Sequence, residues 1–495
     1  MKFILETNNF MNVRNFLLGT ILVALIAGVV PSGWSIQTGE MNGKIAFRVL
    51  SETANGGSTE ALIVLTTQAD LSAAATLNTK LEKGYFVVNT LRTVAARTQG
   101  PILSLLQQRG VAYQSFYIVN MIKVTGDRNL MEELAARADV ARIDANPRVR
   151  TLLPGATGMD STSQPSGVEW NVQKVKAPDV WALGFHGEGL VVAGADTGVQ
   201  WDHPALKSHY RGWDGHQANH DYNWHDATPD HSPAPIDPHG HGTFTVSEMV
   251  GDDGQGNQIG VAPGAKWIAC RNMDAGGNGT PAQYTECFQF LIAPYPVGGD
   301  PSQGDPTKAP DSINNSWECP PSEGCSFGTL QSIVDAVRAA GIFPAMAAGN
   351  SGPSCSSIQY PPAIYASSVD VGALDSSNNI ANFSSRGPVT VDGSHRTKPN
   401  LSAPGVNIRG AVPGNGYSSG WSGTSMAAPH VAGGVALLWQ AKPNLIGNID
   451  QSELKMEQAA QHLIDVQASG YCRGPSFLQD NTFGYGLLNL LKAVQ

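Results

Sequence analysis

Three polar side chains, far apart along the chain, stand among residues small enough to let a substrate reach them. Asp196 closes the apolar run 190–195 in the triplet Asp196-Thr197-Gly198, where a carboxylate leaving a buried strand must find hydrogen-bond donors. His241 lies in Gly240-His241-Gly242-Thr243, ahead of a stretch from Phe244 to Val250 that can open a helix. Ser425 lies in Gly423-Thr424-Ser425-Met426-Ala427-Ala428-Pro429, before a long small-residue helix through Leu438, so its own backbone N–H can point at a substrate. An acid that orients an imidazole, an imidazole that takes a proton and a hydroxyl that attacks a carbonyl are the parts of acyl transfer. Asn350, in Ala347-Ala348-Gly349-Asn350-Ser351-Gly352, can add an amide donor for a developing oxyanion; the plainer reading is a turn asparagine.

Other chemistries compete for the same residues. Asp-Thr-Gly also serves aspartic peptidases, but those need a second carboxylate from a second copy, and no further Asp-Thr-Gly or Asp-Ser-Gly occurs. Eight of the twelve histidines fall between His203 and His241, which raises a metal site around His239 and His241, yet no His-Glu-x-x-His follows. Gly416-Tyr417-Ser418-Ser419-Gly420 fits the Gly-x-Ser-x-Gly nucleophile pattern, but it lacks the helix that should follow and would ignore Asp196 and His241.

The elements that must position these groups are legible as apolar strands, each followed by a loop and a helix, from Trp170 onward. That pattern predicts a parallel sheet covered on both faces, with its chemistry at the carboxyl ends of the strands. One strand is 190–195 and another is 341–348, preceded by an amphipathic helix over 329–340 that Gly341 can end. Ahead of it lies a different module: a strand from Glu60, a polar helix-like region, a helix at 99–109, a strand at 116–124, a helix at 130–138 and a strand at 140–149. The Pro/Gly/Ser-rich stretch 153–167 is a linker by composition. Lys2 and Arg14 ahead of the apolar run 16–30 read as a secretory signal. Net charge is −10, which excludes a basic face for nucleic acid. Six cysteines, all beyond residue 269, allow up to three disulfides in an oxidising compartment; Cys319 and Cys325 can close a short loop, with Cys355 a competitor, and 15 full pairings remain open.

Taken in order, Asp-Thr-Gly, His-Gly-Thr, Gly-Asn and Gly-Thr-Ser-Met-Ala-x-Pro resemble the subtilisin-like serine peptidases, peptidase family S8. Trp201-Asp202-His203-Pro204 and Asn314-Asn315-Ser316-Trp317 look most like the bacillopeptidase F branch. The resemblance implies an α/β, subtilisin-like three-layer αβα fold with a mostly parallel sheet, preceded by a small α+β propeptide domain. It divides the chain into a signal peptide (1–38), an inhibitor-like propeptide (39–155) and a peptidase catalytic domain (156–495). It implies a secreted endopeptidase with Asp196, His241 and Ser425 as catalytic triad and Asn350 at the oxyanion. Substrate is expected as an added strand between 315–317 and 420–422, touching Ser316, Trp317, Ala348 and Gly349. Expected partners are protein or peptide substrates and the propeptide, as inhibitor and folding aid, with no nucleic acid and no stable membrane association once the signal is cleaved; a retained N-terminal segment would anchor the chain at the cell surface. The chemistry needs no cofactor and no metal; a structural calcium ion is an expectation at the loop 252–257, whose residues match the family's ligands poorly. The chain departs from the family at Phe244, where a second histidine is frequent, and at Val246-Ser247, where Ala-Gly is usual.

Overall fold

Runs of Val, Ile and Ala without polar alternation make strands that are buried on both faces, as in Val191–Asp196 and Val369–Leu374, and seven strands build the central sheet of this protein. In the computed structural model, which describes residues 43–150, 167–321, 324–464, 470–476 and 478–495, the order across the sheet is Leu401–Pro404, Val369–Leu374, Phe343–Ala347, Ser312–Asn315, Val191–Asp196, Lys266–Arg271 and Trp224–Asp226. All six pairings are parallel. The segment read as a signal, and the linker except Gly167, lie outside the described residues.

Side chains two apart share a face, and the two faces carry separate cores. Val192, Ala345, Val371 and Ala403 face the helices His241–Val250 and Thr424–Ala441 through Val246, Met249, Val431, Val435 and Trp439. Ala193, Ala195, Ile313 and Met346 face the helices Pro281–Ile292 and Gln331–Ala339 through Phe288, Leu291, Ile333 and Val337. The latter helix is the one read at 329–340, and Gly341 ends it at φ +76°. The chain is thus a three-layer α/β fold.

Residues 44–150 form the expected α+β module. Its antiparallel sheet runs Tyr113–Phe116, Met121–Asp127, Ser58–Leu65, Val140–Ala145. The polar helix-like region becomes Lys80–Thr98, started by a capping box between Thr79 and Glu82. Ala61, Ile63 and Leu65 join Ile102, Leu106, Leu130 and Leu134 in a core of the module's own. Leu62 and Val64 point the other way, into the core that also holds Phe288 and Ile333 of the large domain. The run 116–124 is not one strand. A turn separates two strands there because the Tyr117 and Ile118 N–H groups both donate to Oε1 of Gln289, at 2.7 and 3.2 Å, from the helix Pro281–Ile292. Lys80 adds an ion pair to Asp311, 2.7 Å, and Gln114 donates to Glu286 at 2.6 Å.

All six cysteines are paired, as Cys270–Cys287, Cys319–Cys325 and Cys355–Cys472. The links span very different separations, 6 residues for the second and 117 for the third. In the chain-entropy account a link closing the longer loop stabilises by about 5 kcal/mol and the shorter by about 2 kcal/mol. The double variant Cys355→Ser/Cys472→Ser should therefore lower the calorimetric unfolding midpoint more than Cys319→Ser/Cys325→Ser does. Equal drops would contradict the assignment of stability to the long-range link.

Candidate active site

In chain order the central sheet begins at Val191–Asp196, proceeds to one edge, and then crosses to the other side at Ser312–Asn315. The crevice at such a switch point, at the carboxyl ends of the strands, is where an open α/β sheet can receive a ligand. Asp196 ends the first strand there, and Ser316 follows the second.

Asp196 is 2% exposed and His241 fully buried. The carboxylate accepts from the Thr197 N–H at 2.7 Å and holds His241 Nδ1 at 2.8 and 2.9 Å from its two oxygens. This close seating needs Gly242, since a Cβ there would lie 2.1 Å from the Gly198 carbonyl oxygen. The helix His241–Val250 is fixed at its start by Asp237, whose Oδ1 accepts from the N–H of His239 and Gly240 and from Thr197 Oγ1, and whose Oδ2 accepts from Thr243 N–H and Oγ1. Sequence reasoning passed over Asp237, although an aspartate just before a helix start is a capping signal. His241 Nε2 has no hydrogen-bond partner among the described residues.

Ser425 is the second residue of the helix Thr424–Ala441 and is 3% exposed. Its neighbour Met426 shares one apolar cluster with Phe244 and Trp421, and the Trp421 ring centroid is 6.2 Å from that of His241. The helices bearing the imidazole and the hydroxyl are thus packed together. Ser425 Oγ donates to the Ser316 carbonyl, 3.2 Å, rather than to His241. Pro429 has no N–H to give the Ser425 carbonyl one turn earlier, and Ser316 Oγ donates to that carbonyl instead, at 2.9 Å. One turn on, His430 is buried; burial pushes its imidazole down to about 4, so it stays neutral, with Nδ1 donating to the Met426 carbonyl and Nε2 accepting from Asn171 Nδ2 at 2.9 Å.

Asn350 lies across from this helix start. Its Oδ1 accepts from the Thr424 N–H, 2.9 Å, and from Thr424 Oγ1, 3.0 Å, while Thr424 Oγ1 accepts from the Gly349 N–H at 3.1 Å. The amide is thereby oriented with its NH₂ end away from the Thr424 backbone. Ala348 is buried in the same wall, and Gly349 takes φ +101°. The Trp317 ring turns into the core, stacked on Tyr284 at 4.0 Å, with Nε1 donating to the Ala195 carbonyl. A peptide strand is already seated nearby: Val149 pairs with Gly279 and Arg150 with Asn278, antiparallel. This two-residue acceptor edge carried no sequence signal.

The departures from the family pattern are matched by their neighbours. Phe244 stacks on Trp421 at 4.5 Å and lies where a Cβ on Gly410 would have been, 2.9 Å from the ring. Val246 occupies the room left by Gly194, and Ser247 Oγ donates to the Phe244 carbonyl while accepting from the Ala411 N–H. Ser418 lies within the hairpin strand Gly416–Trp421, is buried, and accepts from Trp421 Nε1, so the Gly-x-Ser-x-Gly match has no elbow geometry. In the 252–257 loop the aspartate carboxylates are engaged by donors of this chain. Asp253 Oδ1 accepts from the Gln255 and Asn257 N–H groups, Oδ2 from Tyr417 and the Asn257 amide, and Asp252 Oδ1 from the Gly254 N–H. Among the described residues no group of three His, Cys, Asp or Glu side chains could hold a metal ion.

Fold and site together define a class: a three-layer α/β protein with a buried Asp–His pair and a helix-borne serine gathered at the switch point of a parallel sheet. The family model described as the Subtilase family, peptidase S8, matches residues 187–486, and this chain belongs to that family of serine endopeptidases. It is 39% identical to Bacillopeptidase F of Bacillus subtilis (strain 168) over 445 residues, 86% of this chain and 29% of that protein. It is 27% identical to Subtilisin E of the same organism over 440 residues, 88% of this chain and 97% of that one. An alkaline protease of Alkalihalobacillus alcalophilus is 30% identical over 306 residues, 62% of this chain and 68% of the relative.

The helix that presents His241 carries one costly group. Glu248 is fully buried, neither carboxyl oxygen has a partner among the described residues, and burial raises its pKa well above the ordinary 4.5. Below about pH 4.5 folded and unfolded states both hold the proton; as pH rises, only the unfolded state releases it, so the fold loses stability. Glu248→Gln, which keeps the shape without the proton equilibrium, should gain on the parent in unfolding midpoint as pH rises from 4 to 8. A pH-independent difference in calorimetry would contradict this.

Proposed function

We propose that the chain is a secreted serine endopeptidase, made as a zymogen, that hydrolyses peptide bonds through an acyl-enzyme. The observation that carries this reading is a buried imidazole with Nδ1 held by Asp196 and Nε2 unpartnered, beside the helix that bears Ser425. Rotation of the Ser425 side chain from the Ser316 carbonyl toward Nε2 supplies the missing link, a bond that commonly tightens only when substrate is bound. Oγ then attacks the peptide carbonyl as His241 takes its proton, and the imidazolium returns that proton to the leaving amine. Water, deprotonated by the same ring, releases the acyl group. Asp196 stays ionised and fixes the ring tautomer. The Asn350 NH₂ and the Ser425 N–H, one of the first amides of a helix with no carbonyl a turn earlier, hold the oxyanion.

In this reading the propeptide is 39–155, and the module 44–150 is its folded part. Strand pairing at Asn278–Gly279 and a core shared with Phe288 and Ile333 support a segment that folds onto the peptidase and blocks its cleft until it is cut away. Three disulfides support an oxidising, extracellular location. No helix among the described residues is long and apolar enough to cross a membrane. The partners proposed are protein or peptide substrates and the propeptide itself.

Purified full-length protein tests the chemistry. Ser425→Ala should abolish both peptide hydrolysis and self-processing, Asp196→Asn should lower turnover by roughly 10⁴, and Asn350→Ala by about 10² to 10³. Self-processing that persists in Ser425→Ala would overturn the assignment. The docking of the propeptide has its own test. Gln289→Ala removes the acceptor of two backbone N–H groups, so the cleaved segment should stay bound about tenfold less tightly in co-elution from a sizing column. Undiminished co-elution would assign docking to the apolar core alone.

A further inference from the structure

The residue after Trp317 points away from the core, as alternation along an extended chain requires. Glu318 is partly buried, and its carboxylate lies against the opposite wall of the site: a Cβ built on Gly349 would be 1.8 Å from Glu318 Oε1 and 2.9 Å from Ser385 Oγ. The carboxylate therefore occupies the space that a side chain at Gly349 would take, immediately before Asn350. Its backbone is held by the Cys319 N–H, which donates to the Pro361 carbonyl at 2.8 Å, and by the Cys319–Cys325 disulfide. The wall it meets is held too, by the Ser385 N–H donating to the Gly349 carbonyl and the Ser351 N–H donating to Ser385 Oγ, both 2.9 Å. Among the described residues no Lys, Arg or His forms an ion pair with Glu318, and only the Asn350 backbone N–H offsets a burial that pushes its carboxyl up to about 7.

We infer that Glu318 lines the pocket for the substrate side chain on the acyl side of the scissile bond, and that it selects a basic side chain, lysine or arginine, there. The inference rests on the peptidase reading above. If the Asn350 amide receives the oxyanion, the α-carbon bearing that side chain is one bond from the same carbonyl, and the wall it faces is Gly349 with the Glu318 carboxylate across it. A carboxylate withdrawn from water without a counter-ion is unfavourable. An incoming ammonium or guanidinium supplies the counter-ion in the bound state, a leucine leaves the group unpaired, and a glutamate adds repulsion.

The test uses the full chain after self-processing and a set of fluorogenic peptides that differ only in the residue before the scissile bond, Arg, Lys, Leu, Phe or Glu. The parent should cleave the Arg and Lys peptides with kcat/KM at least tenfold above Leu. Glu318→Gln should lower the Arg-to-Leu and Lys-to-Leu ratios of kcat/KM about ten- to hundredfold, the worth of a charged hydrogen bond. Benzamidine, an aryl amidinium, should inhibit the parent competitively at millimolar concentration, a readout that needs no variant to fold. An Arg-to-Leu ratio that is the same in parent and Glu318→Gln, or a parent that prefers Leu or Phe and is indifferent to benzamidine, would overturn the inference and leave the peptidase reading intact. A parent that neither takes a fluorophosphonate label at Ser425 nor cleaves any peptide would overturn that reading first.

Discussion

A carboxylate carried by a buried strand end cannot be left unsatisfied, and the bond between Asp196 and His241 is the answer this fold gives. Asp196 is 2% exposed and His241 fully buried, so a hydrogen bond to a charged acceptor is worth more there than at the surface, and losing one partner costs the full desolvation of the other. Much of the neighbourhood follows from that need. Gly242 is bare because the imidazole-bearing helix must approach the Asp196-Thr197-Gly198 turn closely, and Asp237 gathers five donors to hold the helix start in place. The result is a ring whose orientation is set before any substrate arrives.

The serine side is built by a different device. Pro429 deprives the Ser425 carbonyl of its helical partner, Ser316 Oγ takes that role, and the Ser316 carbonyl in turn receives Ser425 Oγ. One strand end and one helix start are tied into a single polar cluster by these bonds. Phe244 and Trp421 close it on the apolar side. The N-terminal module fits the same plan from outside: one face of its sheet completes its own core, and the other completes the layer formed by Pro281–Ile292 and Gln331–Ala339.

What was legible in the sequence was local. Strand ends with an acid, a glycine-flanked histidine and a serine before a small-residue helix each announce themselves within a few residues, and the alternation of strand and helix announces the parallel sheet. What was not legible depends on partners far away in the chain. The break at 117–120 is imposed by Gln289, about 170 residues on. The direction of the Trp317 ring is decided by Tyr284 and the Ala195 carbonyl, and the Cys270–Cys287 and Cys355–Cys472 links by which cysteines the fold brings together, whereas the short Cys319–Cys325 loop was legible. The acceptor edge at Asn278–Gly279 is too short to carry a periodicity, and the bond from Ser316 Oγ to the Ser425 carbonyl joins residues 109 positions apart. Glu318 went unread because a lone charged residue after a strand looks like any surface acid until Gly349 is seen beneath it.

The central claim is that one hydroxyl, one imidazole and one carboxylate act on a single carbonyl carbon. A crystal structure of the processed protein with a peptide boronic acid, which takes the tetrahedral shape of the intermediate, tests it directly. The account requires boron bonded to Ser425 Oγ, one boronate oxygen within hydrogen-bond distance of both the Asn350 NH₂ and the Ser425 N–H, and His241 Nε2 on the remaining side with Nδ1 still on Asp196. Boron bound to another side chain, or an oxygen directed away from Asn350, would contradict it.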